Sequence, residues 1–337
     1  IRDRSCMLEP GFLKSVMPLF ENEEVEMLEW SFDILRKESA SPPWLHGLLT
    51  EYSNKGRLTG HGVRYSLLTA KWGKRQDVWL KQAKQQVKKY NYRYITEHFG
   101  FMTSGDFHKG APFPVPLSDS VLNIGRDRLM RLQDAVSLPV GLENLAFAFS
   151  EDEVKKQGEF LEKLISPVKG FIILDLHNVW CQSINFNKDI LSLIKLYPLD
   201  KVRELHISGG SWSVLEHNEP GKKIRRDTHD EDVPKELFKL LPKVLELCPN
   251  IECVVLERLG HTLRSEREMD QFRKDFLQIK KIVGKEKQGD KYPIEKIKQL
   301  LLKDKIPVKP IDDLKLHKQQ QKVVSVLSKN YNPVKVL

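Results

Sequence analysis

The sequence has few cysteines, no long apolar run and no signal-peptide pattern. Its four cysteines, Cys6, Cys181, Cys248 and Cys253, form no CxxC pair and no zinc-finger spacing, which favours reduced thiols in the cytosol. No apolar run reaches the roughly 18 residues that a membrane span requires. We therefore expect a soluble, cytoplasmic protein with no membrane partner, in which most cysteines are buried bystanders.

The net charge of +9 is concentrated at the C-terminal end of the chain. Residues 285–337 contain 13 Lys and 6 Asp or Glu, which leaves a charge of only +2 for residues 1–284. A nucleic-acid groove would instead cluster Lys and Arg around the site, so nucleic acid is not expected as a partner. Residues 285–337 are interpreted as a Lys-rich, partly helical extension with a solvated basic face; docking to an acidic partner or to nucleic acid is the alternative.

Seven apolar, strand-like runs end in a side chain that can bind a metal or act as an acid or base. Each is followed by a helical pattern. Eight helices can be traced in all, near residues 12–20, 43–52, 78–90, 120–136, 151–165, 188–197, 234–247 and 270–283. This alternation predicts an α/β fold, a (β/α)8 TIM barrel over residues 1–284, with the remaining strand at residues 4–8 where the pattern is poor. Active sites of such barrels lie at the C-terminal ends of the strands, so one shared pocket is expected there.

Residues 209–232 form the longest irregular segment that the pattern predicts. They contain a basic patch, residues 222–226, followed by Asp227 and His229. Long loops at this end of a barrel are usually functional. The patch is expected to meet an acidic peptide segment, with solvated loop charge as the simpler explanation, while Asp227 and His229 reach back over the barrel mouth.

Two pairs of polar residues are spaced as neighbours on one face of a strand, where residues i and i+2 point to the same side. These pairs are Asp175 with His177 and Glu204 with His206. Inside a barrel such charges are costly unless they are paired or bound to metal.

Eight strand-end residues are the strongest ligand candidates. They are His61, His98, Glu143, Asp175, His206, Asp227, His229 and Glu257. Each alone is more often hydrogen-bonded than metal-bound, but the set is harder to explain by ion pairing. A mixed imidazole and carboxylate set without thiolate fits Fe, Mn or Zn, and eight ligands exceed what one ion uses. Two or three metal ions are therefore expected.

The order of these motifs over residues 8–264 resembles the DUF692, or UPF0276, family, the multinuclear non-haem iron-dependent oxidases. The matching segments are TGHGVRYS at 59–66, ITEHF at 95–99, LEN at 142–144, LDLHN at 174–178, ELH at 204–206, DTH at 227–229 and LE at 256–257. The family patterns they match are S-L-H-G-V-G-L-S, V-S-E-H-L, L-E-N, L-D-V-N-N, E-I-H, D-T-H and L-E.

The resemblance implies an iron- and dioxygen-dependent oxidase with two or three Fe²⁺/Fe³⁺ ions; Zn or Mn is the alternative. Family members act on cysteine, or in some cases other residues, of ribosomally made precursor peptides, commonly with a separate peptide-recognition partner protein. By resemblance the eight candidates are metal ligands with Asn178 or His177 as a further ligand, and Asp175, His177 and Asn178 are catalytic. Glu97 and Asn144 would orient the imidazoles, and Glu204 is assigned to the same supporting layer.

Three positions depart from the family pattern. Gly210 stands where the family often has the second histidine of H-L-A-G-H, and His177 stands where L-D-V-N-N has its first asparagine. Arg258 follows Glu257 where many members have L-E-W-D. These changes keep most of the ligands but alter the pocket wall, so they bear on substrate identity more than on metal binding.

Two other functions are compatible with the same residues. One is a divalent-metal phosphodiesterase or isomerase of the endonuclease IV or xylose isomerase type, because multi-metal sites suit phosphoryl chemistry. The low charge of the barrel counts against a DNA substrate, and the ordered motifs favour the oxidase. The other is a non-catalytic barrel that sequesters metal or binds a partner.

Overall fold

The computed structural model describes residues 9–34, 42–104, 107–215, 220–284 and 306–330. The strands in these ranges are β1 (Leu28–Trp30), β2 (Leu58–His61), β3 (Tyr92–His98), β4 (Phe101–Ser104), β5 (Phe107–Phe113), β6 (Val140–Glu143), β7 (Phe171–Asp175), β8 (Val202–Ile207), β9 (Trp212–Val214), β10 (Lys223–Arg225) and β11 (Cys253–Leu256). The α-helices are α1 (Pro10–Glu21), α2 (Pro43–Asn54), α3 (Lys74–Lys89), α4 (Asp119–Val136), α5 (Glu151–Ile165), α6 (Leu176–Phe186), α7 (Ile190–Ile194), α8 (Lys235–Leu247), α9 (Glu266–Val283) and α10 (Leu314–Asn330).

Seven strands form one parallel sheet in the order β1-β2-β3-β6-β7-β8-β11. Successive strands of this sheet are connected through helices, as parallel pairing requires. The sheet curls into a nearly closed barrel, which confirms the predicted TIM-barrel fold. The strand expected at residues 4–8 lies outside the described residues.

The apolar runs form strands that are buried on both faces, as in other parallel sheets. All five residues of β7, with the sequence FIILD, are buried. The register aligns the strand ends: His98 is level with Glu143, and Asp175 is level with His206. The polar residues at the strand ends therefore form one layer at the same end of the barrel.

Five of the described helices, α4, α5, α6, α7 and α9, begin at a side chain that caps them. In α5 the Ser150 hydroxyl accepts a hydrogen bond from Glu153 N (3.3 Å), and the first turn is acidic, which suits the helix dipole. Its buried face includes Leu161 and Leu164, and each such side chain contributes about 1.5–3 kcal/mol by leaving water. Helix α1 packs on α9, so the first and last helices of the barrel region lie side by side.

The prediction that Asp175 and His177 share one face of a strand is wrong. The strand ends at Asp175, and α6 begins at Leu176. The Asp175 carboxylate accepts a hydrogen bond from Asn178 N (2.6 Å) and so caps the helix. His177 therefore lies in the first helical turn, not on a strand face shared with Asp175. The helix predicted at residues 188–197 is reduced to α7.

Two hairpins were not predicted. Strands β4 and β5 pair antiparallel after β3, and β9 and β10 pair antiparallel within residues 209–232. The segment expected to be irregular thus contains a short two-stranded sheet. Three-residue strands of this kind give no periodic pattern long enough to separate them from a loop.

The described part of the C-terminal extension packs against the barrel. Gln320 accepts a hydrogen bond from Ala70 N (2.9 Å) and donates one to Leu68 O (2.8 Å). Arg131 donates to Pro307 O (2.7 Å). The extension therefore contacts both the segment after β2 and helix α4. The division of the chain at residues 284 and 285 stays a prediction.

Within the described ranges, no helix combines the length and apolar character needed to cross a membrane. Cys181, Cys248 and Cys253 are buried and free of disulfides. Cys6 lies outside the described residues.

Replacing Gln320 should release the extension from the barrel. Gln320→Ala leaves buried main-chain groups of residues 68 and 70 without their partner, which costs about 1–3 kcal/mol. Urea unfolding should show this loss, whereas Gln319→Ala, at an exposed neighbouring position, should change stability little. Equal unfolding free energies for the two variants would show that these contacts contribute nothing.

Candidate metal centre

The first group of ligand candidates lies at the ends of β2, β3 and β6. His61 Nε2 is 3.2 Å from Glu143 Oε2, and His98 Nε2 is 3.4 Å from the same oxygen. One potential ligand atom from each of the three residues lies within 4.8 Å of the others. The group is buried and can hold one metal ion.

The second group continues from Glu143 toward the other side of the barrel. It comprises Glu143, Asp175, His206 and Glu257, whose ligand atoms again lie within 4.8 Å of one another. His206 Nδ1 is 3.5 Å from Glu143 Oε1 and 3.5 Å from Glu257 Oε1. This group can hold a second ion.

A third set of contacts extends the chain of ligands beyond Glu257. His229 Nδ1 is 3.5 Å from Glu257 Oε2, and His229 Nε2 is 2.7 Å from Asp227 Oδ1. His177 Nδ1 approaches the same Asp227 oxygen at 3.4 Å. His229 has a φ of 53°, in the left-handed region that non-glycine residues seldom adopt. Strain of this kind is common where a side chain is aimed at a functional site.

Glu143 and Glu257 each lie between two sets of imidazoles. One oxygen of Glu143 faces His61 and His98, and the other faces His206. Glu257 divides its oxygens in the same way between His206 and His229. A carboxylate in this position can bridge two ions, so the site is suited to more than one metal.

Two buried oxygen atoms without a partner in the described residues make the site suitable for a metal ion. Asp175 Oδ2 and Asn178 Oδ1 are buried and have no hydrogen-bond partner in the described part of the chain. An unsatisfied buried oxygen is costly unless a cation or a donor faces it. Several nitrogen–oxygen distances of 3.2–3.5 Å match two ligands that each lie about 2.0–2.2 Å from one ion.

The pKa values of Glu143 and Asp175 shift in opposite directions, because both carboxylates are buried beside other charged side chains. Burial alone would raise the pKa of Glu143, but the imidazoles of His98, His206 and His61 hold it well below its usual range. Burial, followed by repulsion from Asp227, Glu143 and Glu257, raises the pKa of Asp175 well above its usual range. A cation beside Asp175 would remove this conflict by favouring its ionised form.

Two of the three residues expected to orient the ligands lie beside a histidine, and the third contacts Asp175 instead. Glu97 Oε1 is 3.4 Å from His98 Nδ1, and Glu204 Oε1 is 3.2 Å from His206 Nε2. Within the described residues, Asn144 hydrogen-bonds to no histidine; it accepts from Asp175 N (2.6 Å) and donates to Asp175 O (3.2 Å). Asn144 thus positions a carboxylate and not a histidine.

Glu29 is a site residue to which the sequence interpretation assigned no role. Its Oε2 lies 3.8 Å from His61 Nδ1 and 3.6 Å from His206 Nε2, on the ring edges opposite Glu143. It is therefore positioned behind a ligand of each of the first two groups. The position of Glu29 within a strand-end run was the signal, but its contact with both rings depends on the curvature of the barrel.

Gly210 and His177, two of the departures from the family pattern, are neighbours in space. A Cβ on residue 210 would lie 2.9 Å from His177 Cε1 and 2.2 Å from Arg226 O. The His177 ring is also near Cys181, with Nδ1 3.8 Å from Sγ. Burial, and then the charges of Asp227 and Asp175, raise the pKa of the Cys181 thiol. The imidazole of His177 thus occupies space that a side chain at position 210 would need.

The fold and the site together define a TIM-barrel protein with a candidate multi-metal centre. A family model described as "RiPP precursor modification enzyme MbnB/TglH/ChrH" matches residues 18–281; RiPP denotes a ribosomally synthesised and post-translationally modified peptide. The match covers most of the chain, so the chain belongs to this family of peptide-modifying enzymes.

Curated relatives carry the UPF0276 name, as the sequence motifs predicted. The UPF0276 protein of Acinetobacter baylyi is 24% identical over 179 residues, which are 53% of this chain and 59% of that protein. The UPF0276 protein of Vibrio parahaemolyticus is 24% identical over 235 residues, 68% of this chain and 78% of that protein. The match thus spans less than two thirds of the length of the Acinetobacter relative.

Solved structures agree with the fold. The IOLI protein with a bound zinc atom has a TM-score of 0.52 at 12% identity, over 90% of this chain and 98% of that one. D-psicose 3-epimerase from Clostridium cellulolyticum H10 has a TM-score of 0.51 at 12% identity, over 83% and 95% of the two chains. At this identity the likeness shows the barrel fold alone.

Removing the charge of Glu143 should weaken metal binding at the first two metal positions. We expect Glu143→Gln to lose at least one bound ion and to weaken the remaining affinity by about 10-fold or more, because one ligand of two positions is changed. Elemental analysis after anaerobic loading with ferrous iron measures the stoichiometry. Glu246→Gln, at an exposed position of α8, is the control and should bind as the unmodified protein does; equal loading of both variants would contradict the bridging role.

A side chain at position 210 should disturb the rim of the site. We expect Gly210→Ala to lower the melting temperature, because the added Cβ meets the Arg226 carbonyl and the His177 ring. Gly47→Ala adds the same methyl group on α2 with no atom within 4 Å and should instead stabilise by about 0.5–1 kcal/mol. Thermal unfolding compares the two variants, and an unchanged melting temperature for Gly210→Ala would be inconsistent with the packing described.

Proposed function

We propose that this chain is an iron- and dioxygen-dependent oxidase that modifies a residue, by preference cysteine, of a ribosomally synthesised precursor peptide. The observation that carries the proposal is the position of Glu143 and Glu257, each shared between two sets of imidazoles. The membership of the chain in a family of precursor-modifying enzymes supports the choice of substrate.

The ligand chemistry supports iron. Imidazole and carboxylate ligands without thiolate suit Fe, Mn and Zn, and zinc has no redox chemistry of its own. Iron held by these residues would supply the one-electron and dioxygen chemistry that oxidation of a peptide requires. His61, His98 and Glu143 would hold one ion, and Asp175, His206 and Glu257 would hold a second with Glu143. Asp227, His229 and Asn178 would serve a third position.

The protein contributes burial, orientation and a route of access. The His61 and His206 side chains are 0% exposed, and Glu143 is 1% exposed, whereas Asp227 is 12% exposed. The peptide would therefore approach from the side of Asp227. His177 Nδ1 is 3.4 Å from Asp227 Oδ1. Burial lowers the pKa of His177 and the Asp227 carboxylate raises it, so His177 would hold the proton of a substrate thiol through its pairing with Asp227. The buried wall on the opposite side excludes water from the reacting atoms.

The proposal predicts two or three irons in protein purified without oxygen from an iron-supplemented culture, with coupled ferrous and ferric signals in the Mössbauer spectrum. Such protein should consume dioxygen when given a cysteine-containing precursor peptide encoded near its gene, and mass spectrometry should show a changed peptide.

Two results would contradict this account. Stoichiometric zinc or manganese with no retained iron would favour hydrolytic or isomerase chemistry on the same barrel. Peptide conversion at an equal rate without oxygen would exclude the oxidase mechanism. The precursor with its cysteine changed to serine is the control for the modified residue.

A further inference from the structure

The hairpin of β9 and β10 stands beside the rim of the metal centre. Its second strand ends at Arg225, two residues before Asp227. Val214 pairs with Lys223, and Trp212 pairs with Arg225. Any segment held by this hairpin would lie close to the side from which the proposed substrate approaches.

The outer edge of β10 is already occupied. Asn185 of α6 donates to Arg225 O (2.9 Å) and accepts from Arg225 N (2.8 Å), so it satisfies both outward main-chain groups of Arg225. The Arg225 guanidinium also lies over Trp180 at 4.7 Å and over Trp212 at 5.3 Å. These contacts fix the hairpin to the barrel and close one of its two edges.

The outer edge of β9 is open in the described part of the chain. Leu215 N donates to Lys222 O (2.9 Å), and Arg226 N donates to Ser211 O (3.0 Å). By the alternation of an antiparallel ladder, the main-chain groups of Trp212 and Val214 point away from β10. Both side chains are exposed, at 45% and 56%. Among described strands β9 pairs with β10 alone, so its edge offers hydrogen bonds to another strand.

Strand β4 of the other hairpin is covered by a helix, in contrast to the exposed strand β9. Helix α10 packs on β4, and Phe101 and Met102 of that strand are 2% and 1% exposed. Among the side chains whose burial the structure describes, β4 thus buries its apolar residues, whereas β9 exposes Trp212 and Val214.

The charged side chains near the open edge of β9 indicate which kind of peptide would bind there. Residues 222–226 contain four basic side chains. Arg225 pairs with Glu231 (3.4 Å) and Arg226 donates to Ser211 Oγ (2.9 Å), whereas Lys223, opposite Val214, is exposed. Val214 and Lys223 are opposite each other and therefore lie on the same face of the hairpin. An extended peptide beside β9 would place its residues i and i+2 on that face, where an acidic side chain can reach Lys223 and an apolar side chain can pack on Val214. Addition of such a strand to a sheet edge is a common mode of peptide recognition.

We propose that an acidic, extended segment of the precursor peptide binds as a third strand along β9, through the main chain of Trp212 and Val214, and so delivers its reactive residue to the metal centre past Asp227. This assignment rests on the proposed function for the identity of the peptide. The site itself is defined by the hairpin and does not require that the metal be iron.

The test is a selection of displayed random peptides on the full chain, kept without oxygen so that no turnover occurs. We expect enrichment of acidic peptides in which an acidic and an apolar residue are two positions apart and so lie on the same face of the strand. The most enriched peptide, made synthetically with a fluorescent label, should bind the unmodified protein and bind Val214→Pro about 10-fold more weakly or worse, because proline removes the outward N–H of the edge strand.

Matched variants distinguish the loss of the hydrogen bond at the β9 edge from a general disruption of the fold. Val214→Thr keeps the N–H and the branched shape and should keep the affinity, whereas Lys223→Glu should weaken binding most at low salt. Metal content and melting temperature of Val214→Pro should equal those of Val214→Thr, which shows that the barrel is intact.

Three results would overturn the proposal: no enriched peptide, enriched peptides without acidic residues, or equal affinity for Val214→Pro and Val214→Thr. These outcomes are distinct from a failure of the proposed function, which appears as the wrong metal or as conversion without dioxygen. If the edge assignment alone is wrong, Val214→Pro will convert the full precursor as fast as Val214→Thr does.

Discussion

The sharing of buried carboxylates between imidazoles is the interaction on which the site depends. Glu143 and Glu257 lie in a barrel interior where isolated negative charge is costly, and each faces histidines on both of its oxygens. Asp175, whose pKa is raised by burial and by these neighbours, shows that imidazoles alone do not balance the charge. Metal ions would balance it, and the rigid parallel strands would hold the ligands in place before the ions bind.

The sequence predicted the barrel and the ligand layer because both follow from one rule. Parallel strands align their C-terminal ends, so polar residues that end successive apolar runs must meet, as His98 and Glu143 do. The start of α6 was missed because a capping aspartate and a strand-end aspartate look alike in sequence. The role of Glu29 and the β9–β10 hairpin depend on barrel curvature and on very short strands, which carry no periodic signal.

The departures from the family pattern concern the rim more than the ligands. His177 occupies the space beside Gly210, and the hairpin that follows places basic and apolar side chains around the same opening. The described part of the C-terminal extension packs elsewhere, on α4 and the segment after β2. The chain thus combines a buried layer of candidate ligands and a rim of basic and apolar side chains, where we propose that peptide selection occurs.

A crystal structure of the iron-loaded protein, with anomalous data collected on both sides of the iron absorption edge, tests the central claim most directly. The account predicts iron at two or more positions, with one ion on each side of Glu143 and the carboxylate bridging them. A single ion remote from Glu143, or no anomalous signal between His61 and His206, would contradict it.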